Sequence, residues 1–145
     1  MSEANKQSAL DFINAMSAAD VARQDELLAP DAFTNTMGTA QVSGYRDRAT
    51  MLATAGAFKQ LVPTGFRPTF EKVVAEGNFV AVEWKGDATL VDGTPYGNEY
   101  VFMFTFNEKG QIRQLNEYFC TVLADNTIGK LLAQIGEAGA PDEAR

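Results

Sequence analysis

Residues 66 to 123 fall into four runs of alternating side chains, and every break between runs is short and rich in turn residues. The runs are expected at about 66–75, 78–90, 97–107 and 111–123. Their separators read "EGN" at 76–78, "VDGTP" at 91–95 and "NEKG" at 107–110. Connections this short join antiparallel neighbours, because a parallel crossover needs a dozen or more residues. The second half of the chain is therefore a four-stranded meander, and whatever precedes it must cover that sheet.

The first half has a different period. Leu10, Phe12, Ile13 and Met16 make an apolar stripe that predicts a helix over about 3–18. "SAAD" breaks it, and Asp20 is placed to cap a second short helix, about 20–29, that stops at Pro30. "DAFTNTMG" reads as a short strand. Met51, Leu52, Ala55, Phe58 and Val62 recur at helical spacing, predicting a third helix of about 44–62 before Pro63. A last amphipathic helix is expected at 126–137 through Ile128, Leu131, Leu132 and Ile135, with 138–145 a frayed tail. The 145 residues suit one domain, large enough to bury roughly two-thirds of its unfolded surface. The expected fold is α+β: N-terminal helices packed in the concave face of a curved, mainly antiparallel sheet.

Strand parity sorts the side chains. Val80, Val82, Trp84, Gly86 and Ala88 share one side, and Glu83, Lys85 and Asp87 the other. Tyr100, Phe102, Phe104 and Phe106 share a side, but Val101 and Met103 behind them are apolar too. In the last run Leu115 and Phe119 oppose Asn116, Tyr118 and Cys120. A sheet apolar on both faces needs two covers. The helices supply one, and a second copy of the chain, in a sheet-to-sheet homodimer, is expected to supply the other.

Charge and composition exclude several classes. Net charge is −7, and no basic patch marks a nucleic-acid or anionic-lipid surface. No apolar run approaches the ~20 residues of a membrane span, and the polar N-terminus has no signal-like core. A single cysteine fits a reducing, cytoplasmic setting. With no histidine, the commonest general base and metal ligand is missing, and no metal or cofactor is expected.

The stretch "GTPYGNEYVFMFTFNEKGQIRQLNEYFCT" resembles the C-terminal half of the SnoaL-like branch of the nuclear transport factor two-like superfamily, through Gly93, Tyr96, Asn98, Tyr100, Gly110, Ile112, Glu117, Tyr118, Phe119 and Thr121. The helix–helix–strand–helix start fits the same superfamily. The resemblance implies a cone-shaped roll with a deep, mostly apolar pocket. Members include ketosteroid isomerases, limonene epoxide hydrolases, polyketide cyclases, dehydratases and binding proteins without activity, so fold does not give function. This chain departs from the pattern where chemistry resides. The family aspartate after E-Y-F falls on Cys120, the Arg-x-Asp pair of the epoxide hydrolases falls on Trp84 and Gly86, and their Tyr-x-Asn pair falls on Phe33 and Asn35. These departures argue against epoxide hydrolysis.

Ten residues form the expected ligand site: Asn35, Met51, Phe58, Trp84, Tyr100, Phe102, Phe104, Asn116, Tyr118 and Cys120. The apolar members are either pocket wall or plain core. Tyr100, Tyr118 and Cys120 are the catalytic candidates. A phenol can donate to a developing oxyanion. A thiol needs a cationic neighbour, a helix N-terminus or a base to act as nucleophile, and is otherwise a small buried hydrophobe. Asn98 is expected to bond backbone. Among the carboxylates, Asp47 suits a helix N-terminus, Asp31 borders the cone, and Glu99 and Glu117 are assigned to the convex face. The function expected is binding of a small hydrophobic, oxygenated molecule, with acid–base isomerisation, cyclisation or dehydration, or a purely structural dimer with a filled core, as the alternatives.

Overall fold

The computed structural model describes residues 2–139, with side chains as far as residue 134. Helix α1 (Ser2–Ser17) leads through an Ala18–Ala19 turn to α2 (Val21–Leu27). Asp20 caps α2, its carboxylate accepting from the Arg23 amide at 3.0 Å. Strand β1 (Leu28–Thr36) follows directly and absorbs Pro30, so α2 ends two residues short of its expected limit. The expected third helix divides in two. Gly44–Asp47 forms a short strand β2 against β1, and the helix α3 spans Arg48–Leu61. Asp47 ends the strand and caps the helix, accepting from the Thr50 amide at 2.9 Å.

The meander forms as expected: β3 (Arg67–Glu76), β4 (Phe79–Thr89), β5 (Pro95–Phe106) and β6 (Ile112–Phe119). Strand β1 joins β6 in parallel, so the six-stranded sheet runs β2-β1-β6-β5-β4-β3. The last run stops at Phe119. The chain then enters a helical segment: one turn of α4 (Thr121–Ala124), a π-helical turn at Asp125–Gly129, and α5 (Lys130–Gly139). The side chain of Ile135 and the tail from residue 140 lie outside the described residues.

Three irregularities in pairing bend the sheet: one in β1–β6, one in β3–β4 between Phe70 and Lys72, and one in β5–β6 between Thr105 and Phe106. The concave face holds the main core. Ala9, Phe12 and Ile13 of α1 pack on Val80, Val82, Phe102, Phe104, Phe106 and Leu115. A second cluster closes the other end, where Leu61, Val62, Ala88, Leu90 and Tyr96 meet Ile128 of the π-helical turn. On the convex face Val101, Met103 and Tyr118 remain open to solvent. No helix among the described residues is long and apolar enough to cross a membrane.

Candidate functional site

The two core clusters leave a cavity of about 160 Å³ between them. An apolar cavity of this size holds a benzene-sized molecule. Strand register fixes what faces it. In β4–β5, Trp84 lies opposite Tyr100 and Val82 opposite Phe102. In β5–β6, Tyr100 lies opposite Phe119, Phe102 opposite Glu117, and Phe104 opposite Leu115. Thr34 and Thr36 of β1 lie beside Leu115 and Glu117, and Arg46 of β2 pairs with Thr34. One inward parity thus runs across five strands and brings Glu117, Thr36 and Arg46 to one corner of the cavity. Met51, Leu52, Ala55 and Phe58 of α3 wall the opposite side, and Ala124, Ile128 and Leu132 cover the mouth.

The polar corner is a hydrogen-bonded chain. Arg46 Nη1 donates to Thr36 Oγ1 at 3.1 Å, and Thr36 Oγ1 donates to Glu117 Oε1 at 2.7 Å. Arg46 Nη2 donates to the Val42 carbonyl at 2.8 Å. Asp125 of the π-helical turn holds that segment, accepting from the amides of Gln41 at 2.9 Å and Val42 at 3.3 Å. Among the residues lining the cavity, Glu117 is the one carboxylate and Arg46 the one cation.

Burial raises the Glu117 carboxyl above its ordinary value, and it does so against the Thr36 hydrogen bond and the Arg46 charge, which both lower it. Glu117 is half-buried as a residue and lines the cavity. Burial holds the Tyr100 phenol well above the usual range, with Tyr96 and the Glu117 charge adding to the effect. Burial also raises Tyr96. Tyr96 Oη accepts from Asn98 Nδ2 at 2.8 Å. Trp84 stacks on Tyr100 at 4.2 Å between centroids. Two residues of the wall carry a buried polar atom without a protein partner, Ser17 Oγ and Trp84 Nε1.

Of the ten expected site residues, Met51, Phe58, Trp84, Tyr100 and Phe102 line the cavity. Phe104 sits one pair deeper as core, edge-on to Phe12 at 6.1 Å. Asn35, Asn116, Tyr118 and Cys120 do not line it, which corrects their expected placement. The reason is a bulge. Phe106 pairs with Ile112 but Thr105 pairs with Gln114, so Arg113 is an extra residue in β6. Carried on without the bulge, that first pairing would set Asn116 and Tyr118 against Phe102 and Tyr100, facing inward. The extra residue flips every later side chain. Asn116 instead accepts from Gln114 at 3.0 Å on the outer face beside Asn35. Tyr118 is 45% exposed. Cys120 is an exposed free thiol in a shallow outer groove, neither cavity floor nor buried spacer. Asn98 bonds backbone as expected: its amide holds the Cys120 carbonyl at 3.0 Å and amide at 3.3 Å.

The same flip brings in Glu117, which the sequence reading had put outside. Its parity with Leu115 and Phe119, both plain core types, was the available signal. Thr36, Arg46 and Tyr96 were missed because their facing depends on pairing with β6, β1 and β4 respectively. No three His, Cys, Asp or Glu side chains cluster to hold a metal among the described residues.

A bent six-stranded sheet rolled around helices, enclosing an apolar cavity with few polar groups, defines a cone-fold α+β protein of the NTF2-like kind. The family model for the SnoaL-like domain matches residues 9–115, and the chain belongs to that family. Among similar solved structures, PrhC from Penicillium brasilianum superposes with a TM-score of 0.79 at 15% identity, covering 92% of this chain and 91% of that one. Bal32a, from a soil-derived mobile gene cassette, gives 0.72 at 19% identity, covering 85% and 94%. An NTF2-like protein from Burkholderia xenovorans LB400 gives 0.69 at 18%, covering 88% and 97%. At these identities the likeness is one of fold. No curated protein matches the chain.

Proposed function

We propose that this protein binds a small hydrophobic carbonyl compound in the cone and moves a proton on it, as an isomerase or cyclase does. The observation that carries this reading is the single carboxylate of the cavity, Glu117, raised by burial and held by Thr36. A base raised toward ambient pH is better matched to abstracting a weakly acidic proton. Glu117 takes the proton from the carbon next to the carbonyl. The C–H electron pair moves into a new carbon–carbon double bond, and the carbonyl oxygen becomes an enolate. The phenols of Tyr96 and Tyr100, kept neutral by burial, supply donors for that oxygen. Glu117 then returns the proton to another carbon, or the enolate carbon closes a ring on a second carbonyl carbon of the same molecule, whose C=O electron pair moves to oxygen and takes the proton back from Glu117.

The test is deuterium uptake. 4-Phenylbutan-2-one, whose phenyl ring matches the size of the cavity, is incubated in D2O with the protein, and loss of its α-proton signals is followed by NMR. Exchange faster than buffer, lost in Glu117→Gln, is expected. Binding without Glu117-dependent exchange would reduce the protein to a ligand carrier. The convex face, with Val101, Met103 and Tyr118 exposed, is proposed to pair with a second copy of the chain. Light scattering should give a dimer that Met103→Lys converts to a monomer.

A further inference from the structure

The guanidinium of Arg46 has no use that the proton-transfer reading accounts for. Arg23, Arg48 and Arg113 each meet a carboxylate: Arg23 those of Asp11 and Glu26, Arg48 that of Asp25, Arg113 that of Asp31, while Arg67 is exposed to solvent. Arg46 is half-buried on the cavity wall and meets no carboxylate within ion-pair distance among the described residues. A cation removed from water costs free energy unless it is paired and hydrogen-bonded. Two of its bonds are known, to Thr36 Oγ1 and to the Val42 carbonyl, and both acceptors are neutral. A guanidinium carries five N–H donors in a planar fork, so the majority are left over.

The leftover donors are fixed in place. Arg46 faces inward because it pairs with Thr34 across β1–β2. Val42, whose carbonyl anchors Nη2, is itself held through its amide by Asp125. A fork immobilised in this way loses little further entropy when it takes a planar, two-oxygen partner. Glu117 does not play that partner: the Thr36 hydroxyl stands between the two groups, accepting from one and donating to the other. The rest of the lining is apolar or uncharged, so Arg46 is the one formal positive charge any ligand in the cavity meets.

We propose that the ligand carries a carboxylate, seated on Arg46, at the polar end of its hydrophobic body. This rests on the cavity reading above and narrows it: the substrate class becomes a small aryl or branched aliphatic acid, with its reacting carbonyl toward Glu117. The acid end fixes which way round the molecule lies, and so which carbon Glu117 reaches.

A matched pair of probes tests it. 3-Phenylpropanoate and 4-phenylbutan-2-one have the same skeleton, with a carboxylate oxygen in one where the other has a methyl group. Trp84 is the one tryptophan of the chain and lines the cavity, so its emission reports occupancy by either probe. Calorimetry supplies the second isotherm. In the native protein at neutral pH the acid should bind at least about tenfold tighter than the ketone, the usual worth of a charged hydrogen bond. Arg46→Gln should erase that ratio. Arg46→Lys should keep part of it, since the charge remains and the fork does not. Glu117→Gln should not weaken it, since the variant removes a negative charge from the same corner. Thermal melts establish that each variant is folded.

A native ratio near one, a preference for the ketone, or an unchanged ratio in a folded Arg46→Gln variant would overturn the proposal. Loss of the ratio in Glu117→Gln would move the anion site away from Arg46 and overturn it as well. If those results came with Glu117-dependent proton exchange intact, the proton-transfer reading would stand and the carboxylate inference alone would fall. If neither probe bound, both would fall.

Discussion

Replacing Glu117 by Gln should make the protein more stable at neutral pH while removing the proposed proton transfer. The argument is one of linkage. The folded carboxyl is raised by burial, so between its unfolded and folded values the native state holds a proton that the unfolded chain has released. Stability therefore falls as pH rises through that window, and above it the whole penalty is present. Below the unfolded value both states are protonated and the penalty vanishes. Glutamine keeps the acceptor for the Thr36 hydroxyl, which bonds Oε1 at 2.7 Å, so the variant loses the charge and little else. Each pH unit of displacement is worth ~1.4 kcal/mol. Each kcal/mol gained would raise the melting temperature by roughly 3 °C in a domain of this size. Native and variant proteins are melted by circular dichroism at about pH 4, 6 and 8. The two curves should converge at acid pH and separate with the variant above. A variant that is less stable at every pH, or a difference flat with pH, would show that Glu117 is ionised and well solvated in the fold. The acid–base reading would then lose its base.

Three further outcomes follow from the geometry. Asp125→Ala removes the acceptor of the Gln41 and Val42 amides and should cost about 1–3 kcal/mol, with hydrogen exchange at those two amides rising before the sheet opens; unchanged exchange would mean the contact does not hold the cover. Gly65 has φ +75°, and a Cβ there would stand 2.5 Å from the Ser17 carbonyl oxygen, so Gly65→Ala should cost well over 1 kcal/mol in urea unfolding, against near neutrality for an ordinary loop glycine. Cys120 is exposed, so alkylation of the folded protein should run close to the unfolded rate and leave ligand affinity unaltered; protection until unfolding would contradict the placement of the thiol outside the cavity.

Local chemistry made much of this fold readable. The meander follows from alternation and from turns too short for crossovers. The two capping aspartates, Asp20 and Asp47, were legible because the cap bond is made within three residues. The aromatic wall of Trp84, Tyr100 and Phe102 was legible because β4 and β5 pair without interruption from Phe79–Thr105 to Thr89–Pro95. What failed was decided at a distance. Strand β2 has four residues and exists only through its partner β1, so its segment looked like the start of α3. The facing of β6 turns on one bulged residue, Arg113, and the only hint of it within the strand is that Glu117 shares its parity with the core types Leu115 and Phe119. Grouping the side chains of β6 needed only parity. Deciding which group enters the cavity needed the register.

That register also changes what the departures from the family pattern mean. Read as losses, Trp84 and Gly86 in place of Arg-x-Asp, and Cys120 in place of the aspartate, leave a pocket without a base. In the fold they are parts of a different arrangement. Gly86 makes room for aromatic packing: a Cβ there would stand 2.9 Å from Trp84 Cζ3 and 3.3 Å from Tyr100 Cε2. The Trp84–Tyr100 stack fills the wall that a charged pair would have occupied. Cys120 lies past the end of β6, where only its backbone is used, held by Asn98. The polar groups have gathered across the sheet instead, on β1, β2 and β6, as Thr36, Arg46 and Glu117. Glu117 is two strands away from β4, so the proposed proton transfer places the ligand's reacting carbon along the β6 side of the cone, with its apolar body against Trp84 and Phe102. An activity search built on the family's familiar acid–base positions would probe the wrong wall.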